Sequence, residues 1–147
     1  MHALLTVIIS WLSINFDLPA TDVQPEIFFV SAQEMNTIRA ERAAGGGSEV
    51  SVTGIGEVFA LYDDSSGTIF LPQDWNPEDA AATSLLVHEM VHHLQRVAGV
   101  QFACIGEREK PAYAAQRAWL DLFDLSLEEE FSLDAMTILV RTNCGTW

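Results

Sequence analysis

Three of the chain's four histidines lie in the segment SLLVHEMVHHLQ, at positions 88, 92 and 93. His88 and His92 are four residues apart, so in a helix their side chains share one face and both imidazoles can reach one metal ion. Glu89 lies about 100° round such a helix from His88, where its carboxylate can act on a water molecule at the metal. The segment HEMVH therefore matches H-E-x-x-H, the pattern of two zinc ligands and a general base.

The residues around the motif predict that it lies within one helix. Asn76 is a good N-cap and Pro77 a good first helical residue. We expect the helix to run from there to about Val97 and to end at Gly99, which readily adopts the left-handed conformation. This context favours a metal site over a helix that carries incidental histidines.

A catalytic zinc needs a third protein ligand and a coordination position left open for water. No histidine follows His93, so ligand sets with a further histidine downstream are excluded. The next segment, CIGEREKPAYAAQRAWLDLF, offers two carboxylates, Glu107 and Glu109. These residues alone leave the choice between the two glutamates open.

The same segment is predicted to form the second helix of a hairpin. Its apolar residues recur at helical spacing, at Ala112, Ala115, Trp119 and Phe123. Pro111 is expected in the first turn, where a backbone donor is not needed, so both glutamates should lie near the start of the helix. A chain reversal near Gly99 would bring one of them back to the two histidines.

The rest of the chain predicts a single α+β domain over residues 1–147. An N-terminal amphipathic helix is indicated by apolar residues at helical spacing, at Leu5, Ile8, Ile9, Leu12 and Phe16. Strands are predicted at Glu26–Val30, Val50–Tyr62 and Thr68–Leu71, and Ser31 can cap a helix after the first of them. Because the strands collect before the late helices, we expect a small, mainly antiparallel sheet followed by the helical hairpin.

The composition limits the possible partners. The chain has 21 acidic and 7 basic residues, which gives a formal net charge of -14. Nucleic acids and anionic membrane surfaces require a basic footprint, so neither is an expected partner. The apolar run ALLTVIISWL is too short to span a bilayer and lacks the preceding basic residue of a signal peptide, so we expect no membrane span and a helix that packs on the domain.

The two cysteines, Cys104 and Cys144, form no C-x-x-C pair, which excludes a four-thiolate zinc site. They could remain two buried thiols or form one disulfide. We favour the disulfide, because it would tie the last helix to the start of the helix that carries the third ligand. A disulfide would imply an oxidising compartment, and so the cell envelope or secretion rather than the cytoplasm.

The segment LLVHEMVHHLQ, followed by EKPAY, resembles the gluzincins, zinc metallopeptidases with two helical histidines and a glutamate on a following helix. The match is to the smallest members, the minigluzincins, and to uncharacterised bacterial proteins with an LVHE-VHHLQ helix. It covers roughly residues 58–123 and implies a minimal zincin-like fold with TIFLP as the edge strand. The family's ligand glutamate often stands three residues before an alanine, which favours Glu109, before Ala112, over Glu107. Where the family commonly has an aspartate that supports a ligand histidine, this chain has Tyr113, a weaker orienting group.

The resemblance implies zinc-dependent hydrolysis of peptide bonds. Zinc would be held by His88, His92 and Glu109, with Glu89 as the general base. The substrate would be a peptide or protein segment that lies extended along an exposed sheet edge.

Three more residues near the motif could support the site, and two other functions are compatible with the sequence. His93 points away from the metal face and is expected to pack or to support the site, and Gln95 and Tyr113 could support it as well. One alternative is a zinc-binding scaffold or sensor without turnover, and another is a helical interaction domain. Glu89 argues against the scaffold, because a site without turnover needs no general base.

Overall fold

The computed structural model describes residues 1–44, 50–53 and 59–145. The elements follow in the order α1 (His2–Phe16), β1 (Glu26–Val30), α2 (Ala32–Ala44), β2 (Val50–Thr53), β3 (Ala60–Asp63), β4 (Thr68–Pro72), α3 (Ala80–Ala98), α4 (Ile105–Asp121), α5 (Leu127–Phe131) and α6 (Ala135–Arg141). The predicted α+β class is confirmed, with an N-terminal helix, a small sheet and then the helical hairpin.

The sheet has four strands in the order β1-β4-β3-β2. β1 pairs with β4 in parallel, and the other two pairings are antiparallel, so the expected mainly antiparallel sheet is confirmed. The single strand predicted over Val50–Tyr62 is wrong, because β2 and β3 pair with each other, with Thr53 opposite Ala60. Residues 54–58 of that predicted strand lie outside the described residues.

β4 is an inner strand, which corrects the expectation that TIFLP forms a sheet edge. Both of its sides are paired, one with β1 and one with β3. The short sequence of β4 could not reveal this, because the parallel partner β1 comes from a distant part of the chain. The two terminal strands of the described sheet are β1 and β2.

α3 is the central helix of the domain. It packs against the sheet, against α4 and against α1. Its side chains are buried without interruption from Thr83 to Gln95, so the middle of the helix is enclosed on all sides. The histidine motif therefore lies in the interior of the protein.

The ends of the helices confirm some of the predicted caps and correct others. Ser31 and Glu34 form the reciprocal capping box, with hydrogen bonds of 3.1 and 2.8 Å. Gly99 ends α3 in the left-handed conformation, at φ +67°. α3 begins at Ala80 rather than Pro77, because the Asp79 carboxylate accepts hydrogen bonds from the first helical amides. Asn76 instead closes a turn by accepting from the amide of Glu78 at 3.0 Å.

The start of α4 also differs from expectation. α4 begins at Ile105, so Pro111 lies in its second turn rather than its first. A proline inside a helix costs about 3 kcal/mol, and the apolar packing of α4 on its neighbours, which buries Ala112, Ala115 and Leu120, offsets that cost. The last helix, α6, is capped by Asp134, whose side chain accepts a hydrogen bond from the amide of Thr137.

The apolar residues predicted at helical spacing in the first and fourth helices differ in burial. Phe123 is 51% exposed and lies beyond the end of α4. α1 buries four of its five predicted residues, Leu5, Ile8, Ile9 and Leu12, and Phe16 is partly buried against the same core. Within the described part of the chain, no helix has both the length and the apolar character needed to cross a bilayer.

Cys104 and Cys144 form a disulfide, with their Cα atoms 5.7 Å apart. Cys104 is the N-cap of α4, and Cys144 follows α6, so the bond joins the chain's end to the start of α4. Gly106 lies against the same segment: a Cβ atom there would be 2.7 Å from the carbonyl oxygen of Asn143. The disulfide and this close approach together hold the C-terminal segment on α4.

Replacing both cysteines with serine should lower the free energy of unfolding by roughly 3 to 4 kcal/mol, because the 40-residue separation closes a long loop in the unfolded chain. Urea unfolding of the oxidised wild-type protein and of the double variant measures the difference. Intact mass after alkylation without reductant checks the bond itself, and two labelled thiols in protein purified without reductant would contradict it.

Candidate metal centre

α3 and α4 form an antiparallel hairpin that brings two histidines and a glutamate together. Nε2 of His88 lies 3.0 Å from Oε2 of Glu109, and Nε2 of His92 lies 3.3 Å from Oε1 of the same carboxylate. One ligand atom from each of the three residues lies within 4.8 Å of the other two. All three residues are buried. The predicted set of His88, His92 and Glu109 is therefore one cluster in the structure.

The structure separates the two candidate glutamates. Glu109 is buried, with 9% of its side chain exposed, and faces the histidines. Glu107 is exposed, and its carboxylate accepts a hydrogen bond from the backbone amide of Ala103 at 2.9 Å. Side chains two positions apart in a helix point about 200° apart around its axis. Only one of these two glutamates can therefore face α3.

His88 is oriented by an amide that sequence reasoning missed. Its Nδ1 lies 2.9 Å from Oε1 of Gln116, and the amide nitrogen of Gln116 donates to the hydroxyl of Ser84 at 3.3 Å. The second bond fixes which end of the amide faces the ring, so Nδ1 carries a proton and Nε2 faces Glu109. The available signal was spacing, since Gln116 follows Glu109 by seven residues and so shares its helix face.

His92 is oriented in the same way by Gln95, one of the residues expected to support the site. Its Nδ1 lies 2.9 Å from Oε1 of Gln95, whose amide nitrogen donates to the carbonyl of Arg108 at 3.0 Å. Nε of Arg108 also lies 3.1 Å from this Nδ1. Both contacts cannot be hydrogen bonds at once, because Nδ1 either donates or accepts. The bond from Gln95 to a carbonyl turns its oxygen towards the ring, which makes Nδ1 the donor.

The arrangement fits a zinc ion. In a tetrahedral site with bonds of about 2.0 to 2.2 Å, neighbouring ligand atoms are about 3.4 Å apart. The two nitrogen–oxygen separations, 3.0 and 3.3 Å, are close to that value. Among the described residues, the buried Nε2 of His92 has no hydrogen-bond partner. Two imidazole nitrogens and one carboxylate are also a donor set that zinc uses in catalytic sites.

The electrostatics of the cluster also suit a cation. Burial by itself raises the pKa of Glu109, but the charge of His92 and the hydrogen bond from His88 outweigh it and hold that pKa well below its usual value. Burial lowers the pKa of His88, but its hydrogen bond to Glu109 and the charge of that carboxylate outweigh burial and raise it. The carboxylate therefore stays ionised and requires positive charge beside the imidazoles.

Glu89 is fully buried on α3, next to His88 in the chain. Its charge acts on the imidazole of His88 and on the phenol of Tyr113. Both groups belong to the immediate surroundings of the cluster, so the Glu89 carboxylate contributes negative charge to those surroundings.

His93 lies apart from the cluster and has a packing role. Its Nε2 lies 2.9 Å from the carbonyl oxygen of Val23, and its Nδ1 lies 3.2 Å from the hydroxyl of Tyr62. Because the carbonyl can only accept, Nε2 donates and Nδ1 accepts from the phenol. Burial raises the pKa of Tyr62 to about 12 and lowers that of His93.

Tyr113 contacts His88 through its ring and not through its hydroxyl. The two rings meet edge to face, with centroids 4.7 Å apart. The hydroxyl accepts a hydrogen bond from Nη1 of Arg141 at 2.8 Å. Tyr113 thus packs against a candidate ligand, while the orienting hydrogen bond comes from Gln116.

The comparisons with known proteins give one family. The model of a family described as Domain of unknown function (DUF6647) matches residues 1–146, so the chain belongs to that family. No curated protein and no solved structure matches the chain. The family description gives no activity, substrate or metal.

Replacing His92 with alanine should abolish stoichiometric zinc binding, because one of three ligands is lost, whereas His93→Ala should keep most of it. Metal analysis of both purified variants, after equilibration with zinc and removal of the excess, measures this. Stoichiometric zinc in the double variant His88→Ala, His92→Ala would contradict the ligand assignment.

Replacing Gln116 with alanine should weaken zinc binding by about 10- to 100-fold, the usual effect of losing a group that orients a ligand histidine. Competition with a chelator of known affinity gives the dissociation constant. Gln33→Ala, at an exposed site on α2, is the matched control. An unchanged affinity in a folded Gln116→Ala protein would show that the amide does not position His88.

Proposed function

We propose that this member of the DUF6647 family is a zinc-dependent peptidase. One observation carries the proposal: the buried carboxylate of Glu109 meets the Nε2 atoms of both histidines of the H-E-x-x-H motif, 3.0 and 3.3 Å away. The glutamate of the same motif, Glu89, lies beside them in the interior. The resemblance to the gluzincins supports the same reading of these residues.

The metal and the general base would have separate tasks. A zinc ion held by His88, His92 and Glu109 would supply a Lewis acid that polarises a carbonyl and makes water easier to deprotonate. Glu89 would accept the proton of the attacking water and later pass it to the nitrogen of the leaving amine. Its complete burial keeps this carboxylate away from bulk solvent.

The orienting amides would keep the ligands ready for the metal. Gln116 and Gln95 hold Nδ1 of each imidazole at 2.9 Å, which leaves each Nε2 turned to the inside of the cluster. Because the two amides are in turn bonded to Ser84 and to the Arg108 carbonyl, the rings cannot rotate without breaking several hydrogen bonds.

A peptide substrate would pair with β2. β4 is paired on both sides, so it cannot take an added strand. β2 ends the described sheet and contacts α3, the helix that carries the motif. A peptide added to this edge would be held by main-chain hydrogen bonds, which do not depend on its sequence.

A zinc-binding scaffold without turnover is the second candidate. The burial of all three proposed ligands favours it, because structural zinc sites are closed. Glu89 distinguishes the two candidates, since only the peptidase requires its carboxylate.

Glu89→Gln should retain zinc while peptide hydrolysis falls by roughly 100-fold or more, because the amide keeps the shape and removes the base. Glu109→Gln should instead weaken zinc retention, because the anionic ligand is lost. A peptide-library cleavage assay with and without chelator, together with metal analysis, gives both readouts.

Glu107→Gln is the matched control for both variants, because its carboxylate is exposed and faces away from α3. Hydrolysis by Glu89→Gln at the wild-type rate would contradict the role of Glu89 as general base. Zinc loss in Glu107→Gln but not in Glu109→Gln would identify Glu107 as the third ligand, and the proposed peptide hydrolysis would still hold. Zinc binding with no hydrolysis of any peptide would favour the scaffold.

A further inference from the structure

A cavity of about 410 Å³ adjoins the candidate metal centre, between the end of α3, the start of α4 and the turn after β3. His92 and Gln95 form part of its wall, and residues 99–102 form another part. Its volume lies in the usual range for sites that bind small molecules or parts of larger ones. Because His92 belongs both to this wall and to the metal cluster, an occupant of the cavity would lie next to the metal centre.

The charge of this cavity is opposite to that of the whole chain. Two of the chain's seven basic residues, Arg96 and Arg108, line it, against one carboxylate, that of Asp64. The lining residues therefore carry one surplus positive charge, in a chain whose formal net charge is -14. The negative surface of the chain repels anions, whereas this positively charged cavity attracts them. An anion would therefore bind preferentially at the cavity.

Arg108 forms the inner part of the cationic lining. Its side chain is 5% exposed and is paired with the carboxylate of Asp64. Its Nε also lies 3.1 Å from Nδ1 of His92. The ion pair with Asp64 and the burial of the side chain hold the guanidinium in one place beside the metal cluster.

Arg96 forms the outer, exposed part, and its position is also defined. A Cβ atom at Gly67 would lie 2.9 Å from Nη1 of Arg96, so the absence of a side chain there makes room for the guanidinium. Gly67 has φ +68°, which also disfavours other residues. Within the described ranges Arg96 makes no ion pair, while Asp64 is taken by Arg108.

We propose that this cavity binds a carboxylate of the substrate through Arg96, with Arg108 behind it. The proposal rests on the proposed peptidase function and narrows its substrates to peptides with a carboxylate close to the bond that is cut. A guanidinium binds a carboxylate through two parallel hydrogen bonds. The carboxylate could be that of a peptide's C-terminus or of an aspartate or glutamate side chain.

Three small probes separate these sources. N-acetylalanine carries a main-chain carboxylate, the α-amide of N-acetylaspartate carries a side-chain carboxylate, and N-acetylalanine amide carries none. Each is titrated into the wild-type protein, and binding is followed by NMR chemical shifts. At least one carboxylate probe should bind saturably at one site, and the neutral amide should not. The tighter of the two carboxylate probes identifies the source.

Arg96→Gln should weaken the binding of that probe by about ten-fold or more, the scale of a lost charge-assisted hydrogen bond. Arg117→Gln is the matched control, because Arg117 is exposed on α4 and does not line the cavity. Arg96 is itself exposed, so the substitution should leave the fold intact. Equal binding by the neutral amide, absence of saturable binding, or an unchanged affinity in Arg96→Gln would each overturn the proposal.

The titrations are run on chelator-treated protein as well as on zinc-loaded protein. The two arginines do not depend on zinc, so the carboxylate should bind in both states. Binding to the metal-free protein supports the cavity even if the protein proves not to be a peptidase. Binding that appears only with zinc would mean that the probe contacts the metal, and would overturn the role of the cavity.

Discussion

A buried carboxylate between two buried imidazoles is the interaction on which the rest of the structure depends. Taking the charge of Glu109 out of water costs several kcal/mol unless positive charge lies beside it, and the two Nε2 atoms at 3.0 and 3.3 Å mark where that charge belongs. Because the histidines come from α3 and the carboxylate from α4, the same contacts hold the helical hairpin together and define the cluster. A bound cation should therefore add to the stability of the folded hairpin.

Two glutamine side chains outside the cluster hold its histidines in place. The amide oxygens of Gln116 and Gln95 each contact an imidazole, and their amide nitrogens donate hydrogen bonds to a hydroxyl and to a backbone carbonyl. At the start of α4, the disulfide and the close approach of Gly106 to Asn143 hold the residues that precede Glu109. Each of these contacts restricts one of the two helices. Together they hold the two histidines and Glu109 in fixed relative positions.

The cluster of His88, His92 and Glu109 could be predicted in part from the sequence. Helical periodicity is enough to put His88 and His92 on one face, and Glu109 was favoured by a family pattern. The partners of these residues could not be predicted in the same way. Gln116 is one polar residue among several on α4, and only the packing of α4 on α3 shows that it faces His88. The division of Val50–Tyr62 into two strands and the inner place of β4 depend on pairings between distant segments. The position of Pro111 was also predicted wrongly, because the apolar packing of α4 on its neighbours extends the helix by a turn that local preference disfavours.

Zinc K-edge X-ray absorption spectroscopy of the zinc-loaded protein tests the central claim most directly. The proposed centre contains only nitrogen and oxygen donors, with two imidazoles, so the spectrum should show bond lengths of about 2.0 to 2.2 Å and the outer-shell scattering of two histidine rings. The disulfide-bonded cysteines should contribute nothing. A sulfur shell at about 2.3 Å, or a first shell without imidazole scattering, would contradict a zinc centre built from His88, His92 and Glu109.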